Sequence, residues 1–154
     1  MGLSMLLLKK TIVEGCEVTI TKNGKPFAAV KPERITVVVE TIAEWWNFYP
    51  LHEWFVTYCA GENYEKASFW VEPNLLPELL EILNEVKEIL ERSEDLSETE
   101  KQVEEIFPSG FYREGFNYDI YKDNVEVAIE TVEQMISDTK NADPDVRWEF
   151  IYEA

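Results

Sequence analysis

One segment constrains the fold of this chain more than any other, because its apolar residues recur at the spacing of an amphipathic helix. The segment is NLLPELLEILNEVKEIL, residues 74–90, and its four glutamates lie largely off the apolar face. The apolar side chains that share one face are Leu76, Leu79, Leu80, Leu83, Val86 and Leu90. A helix with one apolar stripe has to bury that stripe against other elements, so this segment requires a layered, globular fold.

A second helix is predicted near the carboxyl end, in DNVEVAIETVEQMI, residues 123–136. Asp123 and Glu126 have the three-residue spacing of a capping box, in which side chains satisfy the first backbone N–H groups of a helix. The buried stripe of this helix is predicted to be Val125, Ile129, Val132 and Ile136. The polar, acidic residues 91–101 are predicted to be a loop or a frayed helix end.

Five short runs of β-branched, aromatic or alternating residues predict strands. They are residues 5–10, 17–21, 27–30, 67–71 and 146–153. The second and third runs are joined by Asn23-Gly24, a dipeptide typical of tight hairpin turns.

The segment from residue 33 to residue 59 is ambiguous. Its β-branched run, ITVVV, favours a strand, but apolar residues at helical spacing between Ile35 and Trp46 favour a helix, which is the preferred prediction. Pro50 is tolerated in a first helical turn but breaks a helix from within, so a new helix is predicted over residues 50–59. Together these elements predict a single α+β domain over residues 1–154. In it, an amino-terminal β-hairpin or small antiparallel sheet packs with about four helices.

The charge of the chain is strongly negative and unevenly distributed. The formal net charge is −17. Residues 1–34 contain six basic and three acidic side chains, and residues 35–154 contain 8 basic and 28 acidic ones, which gives +3 and −20. Such an acidic surface repels phosphates, so general DNA or RNA binding is not predicted. An anion site is expected near the basic segment, where Lys25 and Arg34 are candidate phosphate ligands. The acidic remainder keeps the chain soluble or meets a basic partner.

Neither the cysteines nor the sequence motifs indicate catalysis, a metal or a cofactor. Cys16 and Cys59 form no CxxC pair and are predicted to be buried free thiols in a reducing, cytoplasmic compartment. The single histidine, His52, does not complete a zinc site with them. The sequence has no GxSxG, HExxH or phosphate-binding glycine loop, so no catalytic residue is predicted and a hydrolytic enzyme is the less favoured interpretation. The apolar run at residues 5–8 is short and precedes its lysines, so neither a membrane span nor a signal peptide is predicted.

Two aromatic clusters are the strongest indications of a binding site. The first is WWNFYPLHEWF, residues 45–55, and the second is SGFYREGFNYDIY, residues 109–121. Aromatic rings stack on a nucleobase, and the polar side chains among them hydrogen-bond its edges. The candidate ligand-binding residues in these clusters are Trp45, Tyr49, His52, Trp54, Arg113, Tyr118 and Tyr121.

Part of the first cluster is predicted to be core, because aromatic residues at helical spacing are usually buried. Phe55 and one of Trp45 or Trp46 extend the apolar stripe of the preceding segment and are predicted to be buried. His52 is predicted to face a cleft, because its ring both donates and accepts hydrogen bonds. Trp54 is predicted to lie beside it as a stacking ring.

Six short motifs extend the argument beyond single residues. They are TKNGKP (21–26), KPERI (31–35), LHEWFV (51–56), LLPELLEILNEVKEIL (75–90), SGFY (109–112) and YDIY (118–121). In this order the chain resembles a widespread family of small proteins encoded by tailed phages and prophages. Two features depart from that family. Members of the family carry basic residues and an asparagine just before the LHEWFV motif, where this chain has Trp46, Asn47 and Tyr49, and the final RWEFIYEA matches poorly.

The resemblance implies a function in phage immune evasion. The resemblance implies that this family overlaps with phage proteins that sequester cyclic-nucleotide immune signals and so block cyclic-nucleotide-based anti-phage defence. The chain is then expected to act in the cytoplasm of an infected bacterial host and to bind a nucleotide second messenger, such as a cyclic dinucleotide, without turnover. Two alternatives stay open: an acidic decoy that occupies the basic groove of a host defence protein, and an adaptor or structural domain without a ligand. The oligomeric state is also open, and a homo-oligomer is compatible with each alternative.

Overall fold

The computed structural model describes residues 2–92, 94–111 and 116–154. Within these residues the chain forms a four-stranded antiparallel sheet, a separate short hairpin and four α-helices. The strands are β1 (Ser4–Ile12), β2 (Thr21–Lys22), β3 (Lys25–Pro26), β4 (Val37–Trp46), β5 (Ser68–Val71) and β6 (Trp148–Glu153). The helices are α1 (Tyr49–Cys59), α2 (Leu76–Arg92), α3 (Leu96–Ile106) and α4 (Tyr118–Lys140). This architecture confirms the predicted α+β fold.

The first strand of the chain lies inside the sheet, whose strand order is β4-β1-β6-β5. β1 pairs with β4 from Ser4 opposite Trp46 to Ile12 opposite Val37, and its other edge pairs with β6. One rung across the sheet brings together Ala43, Leu7, Tyr152 and Phe69. Leu7, Tyr152 and Phe69 are buried, so this face of the sheet carries the core.

The helices cover that face, and α2 packs closely on α4. The predicted stripe of α2 is confirmed at Leu76, Leu79, Leu83 and Val86, which are fully buried, whereas Leu80 is only partly buried. From α4, the core receives Val125, Ala128, Val132 and Met135. The predicted strands at residues 5–10, 67–71 and 146–153 and the predicted helix at residues 50–59 are also confirmed.

The predicted helix between Ile35 and Trp46 is wrong, because this segment is the edge strand β4. Its apolar residues fit both periods, but the run of β-branched residues favours the extended backbone. Pairing along the whole of β1 then satisfies the backbone groups of one edge of β4. The spacing of apolar residues in this segment gives no information about that partner strand.

Two predicted boundaries near helices are also wrong. α4 begins before the predicted capping box, at Tyr118, because Asn117 accepts a hydrogen bond from the N–H group of Ile120 at 3.1 Å. The predicted loop at residues 91–101 contains the start of α3. There Asp95 caps the helix by accepting bonds from the N–H groups of Ser97 and Glu98. Short polar side chains at helix starts decide both boundaries.

The hairpin turn at Asn23-Gly24 is confirmed, and both residues have the positive φ angles, 53° and 77°, that such turns require. Its strands are only two residues long, so the strands predicted over residues 17–21 and 27–30 are too long. The prediction that both cysteines are buried is wrong for Cys16, which lies exposed before this hairpin. Cys59 is partly buried, and burial raises the pKa of its thiol to about 11.

None of the helices in the described part of the chain is long and apolar enough to cross a bilayer.

Candidate functional site

A cleft of about 210 Å³ opens where the first turns of α1 and α4 meet. The loop that follows α3 closes one side of this cleft at Gly110. Its lining residues are Trp46, Asn47, Phe48, Tyr49, Pro50, Gly110, Phe116, Asn117, Ile120, Tyr121 and Asn124. Both aromatic clusters of the sequence therefore contribute to one site.

The start of α1 is fixed by the strand before it. Asn47 has a positive φ of 54°, which turns the chain from β4 into the helix, and asparagine tolerates this conformation better than most residues. Its side-chain Oδ1 accepts a hydrogen bond from the N–H group of Leu3 at 2.6 Å. The amide NH₂ group is thus the part of Asn47 that the cleft can use. Pro50 follows in the first helical turn, where it is tolerated.

The start of α4 contributes a buried aromatic cage around Tyr121. The ring of Tyr121 lies 5.6 Å from that of Phe48, 4.7 Å from that of Phe111 and 5.7 Å from that of Phe116, measured between centroids. These distances are typical of stabilising aromatic pairs. The cage holds the ring of Tyr121 at the wall of the cleft.

Gly110 allows the loop to approach this cage. A Cβ atom at this position would lie 2.7 Å from Cε2 of Tyr121 and 3.0 Å from Cγ of Pro50. Both distances are shorter than ordinary van der Waals contact, so the site requires glycine here.

The carboxylate of Glu104, in α3, fixes the backbone of the same loop by hydrogen bonds. It accepts hydrogen bonds from the N–H groups of Ser109 at 2.8 Å, Gly110 at 3.1 Å and Phe111 at 2.9 Å. Three charge-assisted bonds to consecutive backbone amides fix the loop as a unit.

The hydroxyl group of Tyr121 is the unusual polar atom of the site. Tyr121 is only 4% exposed, and its Oη has no hydrogen-bond partner among the described residues. Burial, and secondarily the nearby charge of Glu104, raise the pKa of this phenol far above its usual range. The group therefore stays a neutral donor across the physiological pH range, and an unpaired buried hydroxyl is costly unless a ligand or water bonds it.

The cleft is polar without being charged by its side chains. No Lys, Arg, Asp or Glu occurs among its described lining residues. The amino-terminal ends of α1 and α4 both face it, and the backbone dipoles of a helix make that end partly positive. Together with the amides of Asn47, Asn117 and Asn124, these helix ends give the cleft hydrogen-bond donors, which suit an acceptor-rich ligand.

Two of the predicted ligand-binding residues, Tyr49 and Tyr121, line this cleft. Tyr118 lies beside it in the first turn of α4, where its hydroxyl donates to the carbonyl of Leu90 at 3.4 Å. Arg113 lies outside the described residues.

The other aromatic candidates lie in the core. Trp45 and Trp54 are each 5% exposed, so neither offers a ring face to a ligand, and the expected stacking role of Trp54 is not supported. Burial of Phe55 and Trp45 confirms the predicted core positions, whereas Trp46 is 64% exposed at the cleft. His52 does not line this cleft; its Nδ1 is 2.6 Å from the hydroxyl of Tyr152.

The two cationic candidates are exposed but lie in a different part of the fold. Lys25 is in β3, and Arg34 is in the 3-10 turn Pro32–Arg34. Both lie in the segment that connects β1 to β4. Neither lines the cleft. The charge count located the basic segment correctly, but the cleft forms at the other end of β4.

Gly110, Asn47 and Asn124 line the cleft but were not predicted to belong to a site, and Asn117 was considered only as one of the polar side chains of the second aromatic cluster. Asn47 and Asn117 each precede a predicted or observed helix start, and Asn124 lies about two turns beyond Asn117 in α4. A glycine directly before Phe111, and an asparagine within each aromatic cluster, were the signals that could have indicated them.

No family model, curated protein or solved structure matches this chain.

Proposed function

We propose that this protein binds and sequesters a nucleotide immune signal, such as a cyclic dinucleotide, without chemical turnover. In this proposal it acts in the cytoplasm of a phage-infected bacterial host. The observation that carries the proposal is the cleft, in which aromatic walls, amide groups and two helix amino-termini converge.

The aromatic walls support recognition of a base. Trp46 is exposed at the mouth of the cleft, and Tyr49 and Phe116 line it. Stacking of one base on an aromatic side chain contributes roughly 1–3 kcal/mol, which is enough to fix a nucleotide when hydrogen bonds also form.

The donors of the cleft support recognition of carbonyl or phosphate oxygens. Asn117 uses its Oδ1 to cap α4, which leaves its NH₂ group for a ligand, and Asn47 is in the same situation. The dipoles of the two helix amino-termini favour a negatively charged phosphate group.

The size of the cleft limits what it encloses. A volume of about 210 Å³ is below the roughly 300–1,000 Å³ of sites for drug-sized ligands. One base fits such a volume, so the sugar and phosphates of a larger cyclic nucleotide would extend over the rim.

The chemistry of the lining supports binding without turnover. Its polar side chains are amides and phenols, which hydrogen-bond well but are poor bases at neutral pH. The raised pKa of Tyr121 makes this phenol a weaker nucleophile still.

The direct test is calorimetric titration with a panel of cyclic di-GMP, cyclic di-AMP, cyclic GMP-AMP and cyclic triadenylate. We expect one member of the panel to bind with one of its bases in the cleft and to be recovered intact after the protein is denatured. Asn124→Ala should weaken this binding two- to tenfold, because one hydrogen bond contributes about 0.5–1.5 kcal/mol. Asn84→Ala removes an exposed amide from α2, outside the cleft lining, and is the matched control. Absence of binding for the whole panel at about 100 μM, or recovery of a linearised product, would refute the proposal.

A second candidate, the acidic decoy, is favoured by a specific surface. The described parts of α2 and α3 expose seven glutamates, namely Glu78, Glu81, Glu85, Glu88, Glu91, Glu98 and Glu105. A basic groove of a host protein would complement these carboxylates. Replacing Glu81, Glu85 and Glu88 with Gln should abolish such a complex and leave nucleotide binding unchanged. A complex that survives this replacement would exclude the decoy.

A further inference from the structure

The sheet has an outer face that no described element covers. The helices pack on the face that contains Leu7 and Phe150, both fully buried. The strand register places a row of apolar side chains on the opposite side: Leu6, Leu8, Val39, Trp70 and Ile151. Trp70 is 64% exposed, Val39 is 55% exposed and the other three are partly exposed, so this outer face presents apolar side chains to solvent.

The segment between β1 and β4 also lacks a place in the core. This segment, residues 13–36, is called the arm, and the structure describes all of it. None of its residues is buried, although it contains Ile20, Phe27, Val30 and Ile35. The arm is held together only locally, for example by the bond from the N–H group of Val13 to the carbonyl of Thr36. Because Trp70 stays exposed with the arm in this position, the arm does not cover the outer face of its own chain.

The charges of the two surfaces are complementary. From residue 18 to residue 36 the arm carries four cations, Lys22, Lys25, Lys31 and Arg34, and one anion, Glu33. On the outer face, Lys10 pairs with Glu149 at 3.9 Å, and the rung of Leu6 is flanked by Glu44 and Glu153. The end of the outer face that contains the Leu6 rung is therefore acidic, and the tip of the arm is basic.

The dimensions also match. Eleven residues lead from Val13 to the turn at Asn23, which gives a maximum reach of about 36 Å. The nine residues of β1 span about 30 Å. An arm laid along the outer face of another copy would thus reach its acidic end with the lysines that flank the turn.

We propose that two copies of this chain form a symmetric dimer in which the arm of each copy lies on the outer face of the other sheet. The apolar residues of the arm then cover Trp70 and its neighbours, and the arm's lysines meet Glu44 and Glu153. A four-stranded face about 20 Å long has an area on the order of 400 Å². Each arm loses about as much surface as the face that it covers. The two faces and the two arms together therefore reach the roughly 1,200–2,000 Å² that stable interfaces bury.

Light scattering coupled to size-exclusion chromatography, run from about 1 μM to 200 μM, tests this dimer. We expect the full chain to be dimeric and Trp70→Glu to raise the dimer dissociation constant at least tenfold. Val127→Glu introduces the same charge at an exposed position of α4, in the helical layer, and should leave the dimer unchanged. Circular dichroism checks that each variant is folded.

A second variant identifies the arm as the occupant. Lys22→Glu with Lys25→Glu changes only exposed side chains of the hairpin, and should weaken the dimer at least tenfold. A full chain that is monomeric at all concentrations overturns the proposal. So does a dimer that survives Trp70→Glu. A dimer that is lost in Trp70→Glu but unchanged by the lysine reversals shows that the sheets pack on one another without the arm, which also overturns it.

Discussion

Gly110 shows how a single position shapes the cleft. Addition of one methyl group would bring it within 2.7 Å of the Tyr121 ring and 3.0 Å of Pro50, in a loop already fixed by three bonds to Glu104. We expect Gly110→Ala to lower the free energy of unfolding by about 1–3 kcal/mol, the usual range for overpacking. Urea unfolding of Gly110→Ala, Tyr121→Leu and the double variant measures this. The double variant should be more stable than the sum of the single effects predicts, because the smaller side chain relieves the clash; simple additivity would contradict it.

Tyr121 makes a second, pH-dependent prediction at the residue scale. A tyrosine phenol ordinarily has a pKa of 10.0, and burial raises the pKa of Tyr121 in the folded state. The folded state therefore retains this proton above pH 10 while the unfolded state loses it, so stability is fully present below pH 10 and falls as pH rises above it. Tyr152, whose pKa is also raised by burial, acts in the same direction, and so does Cys59, whose folded pKa is about 11 against its ordinary 9.0.

Urea unfolding of the parent and Tyr121→Phe at pH 8, 10 and 11 tests this effect. The parent should lose stability between pH 10 and 11, and Tyr121→Phe should lose less, because the contribution of Tyr121 is then absent. Tyr152, Cys59 and Tyr64, whose pKa is raised by its hydrogen bond to Glu53, still act in both proteins. An equal loss in both proteins would show that Tyr121 is not protonated and buried as described.

At the element scale, two helix starts offer a matched comparison. Asn117 caps α4 at the cleft, whereas Asp95 caps α3 away from it. Removal of either cap should cost about 1 kcal/mol of stability. We expect Asn117→Ala to weaken nucleotide binding as well, because the side chain also lines the cleft, while Asp95→Ala should bind as the parent does. Thermal unfolding and calorimetric titration of both variants measure the two effects, and equal affinities would remove Asn117 from the site.

Local signals predicted most of the elements that depend on local sequence, with the start of α3 as an exception, but not β4, which depends on a distant partner. The stripe of α2 and the Asn23-Gly24 turn follow from spacing and from backbone preference, so both were predictable. β4 was not, because its apolar spacing fits a helix while its β-branched run favours a strand, and the pairing with β1 stabilises the strand. The candidate site shows the same division. Tyr49 and Tyr121 were found from composition, whereas Gly110 and Asn47 line the cleft because β4 ends beside α4, which no local pattern reports.

At the scale of the whole molecule, charge and cleft are separated. The sequence predicted correctly that cations concentrate in the first 34 residues, but it joined them to the aromatic site. In the structure Lys25 and Arg34 belong to the arm, and the described lining of the cleft is uncharged. Lys25→Glu with Arg34→Glu should therefore leave nucleotide affinity in the cleft within about twofold of the parent, measured by calorimetric titration. A tenfold loss would show that the arm contributes to the nucleotide site.

Ionic strength separates the two proposed functions, because they use different parts of this charge distribution. A nucleotide in the cleft is held by stacking, by hydrogen bonds and by helix dipoles at contact distance, and such short-range interactions are weakly screened. A decoy complex would depend on the exposed carboxylates of α2 and α3, within a chain of net charge −17, and exposed charges are strongly screened once the Debye length falls to a few Å. We expect nucleotide affinity to fall less than about fivefold between 50 mM and 500 mM KCl, and affinity for a basic host protein to fall more than about thirtyfold. Affinity for the nucleotide that collapses with salt as steeply as the protein complex would mean that charged groups outside the described lining hold it, and the cleft would then not be its principal site.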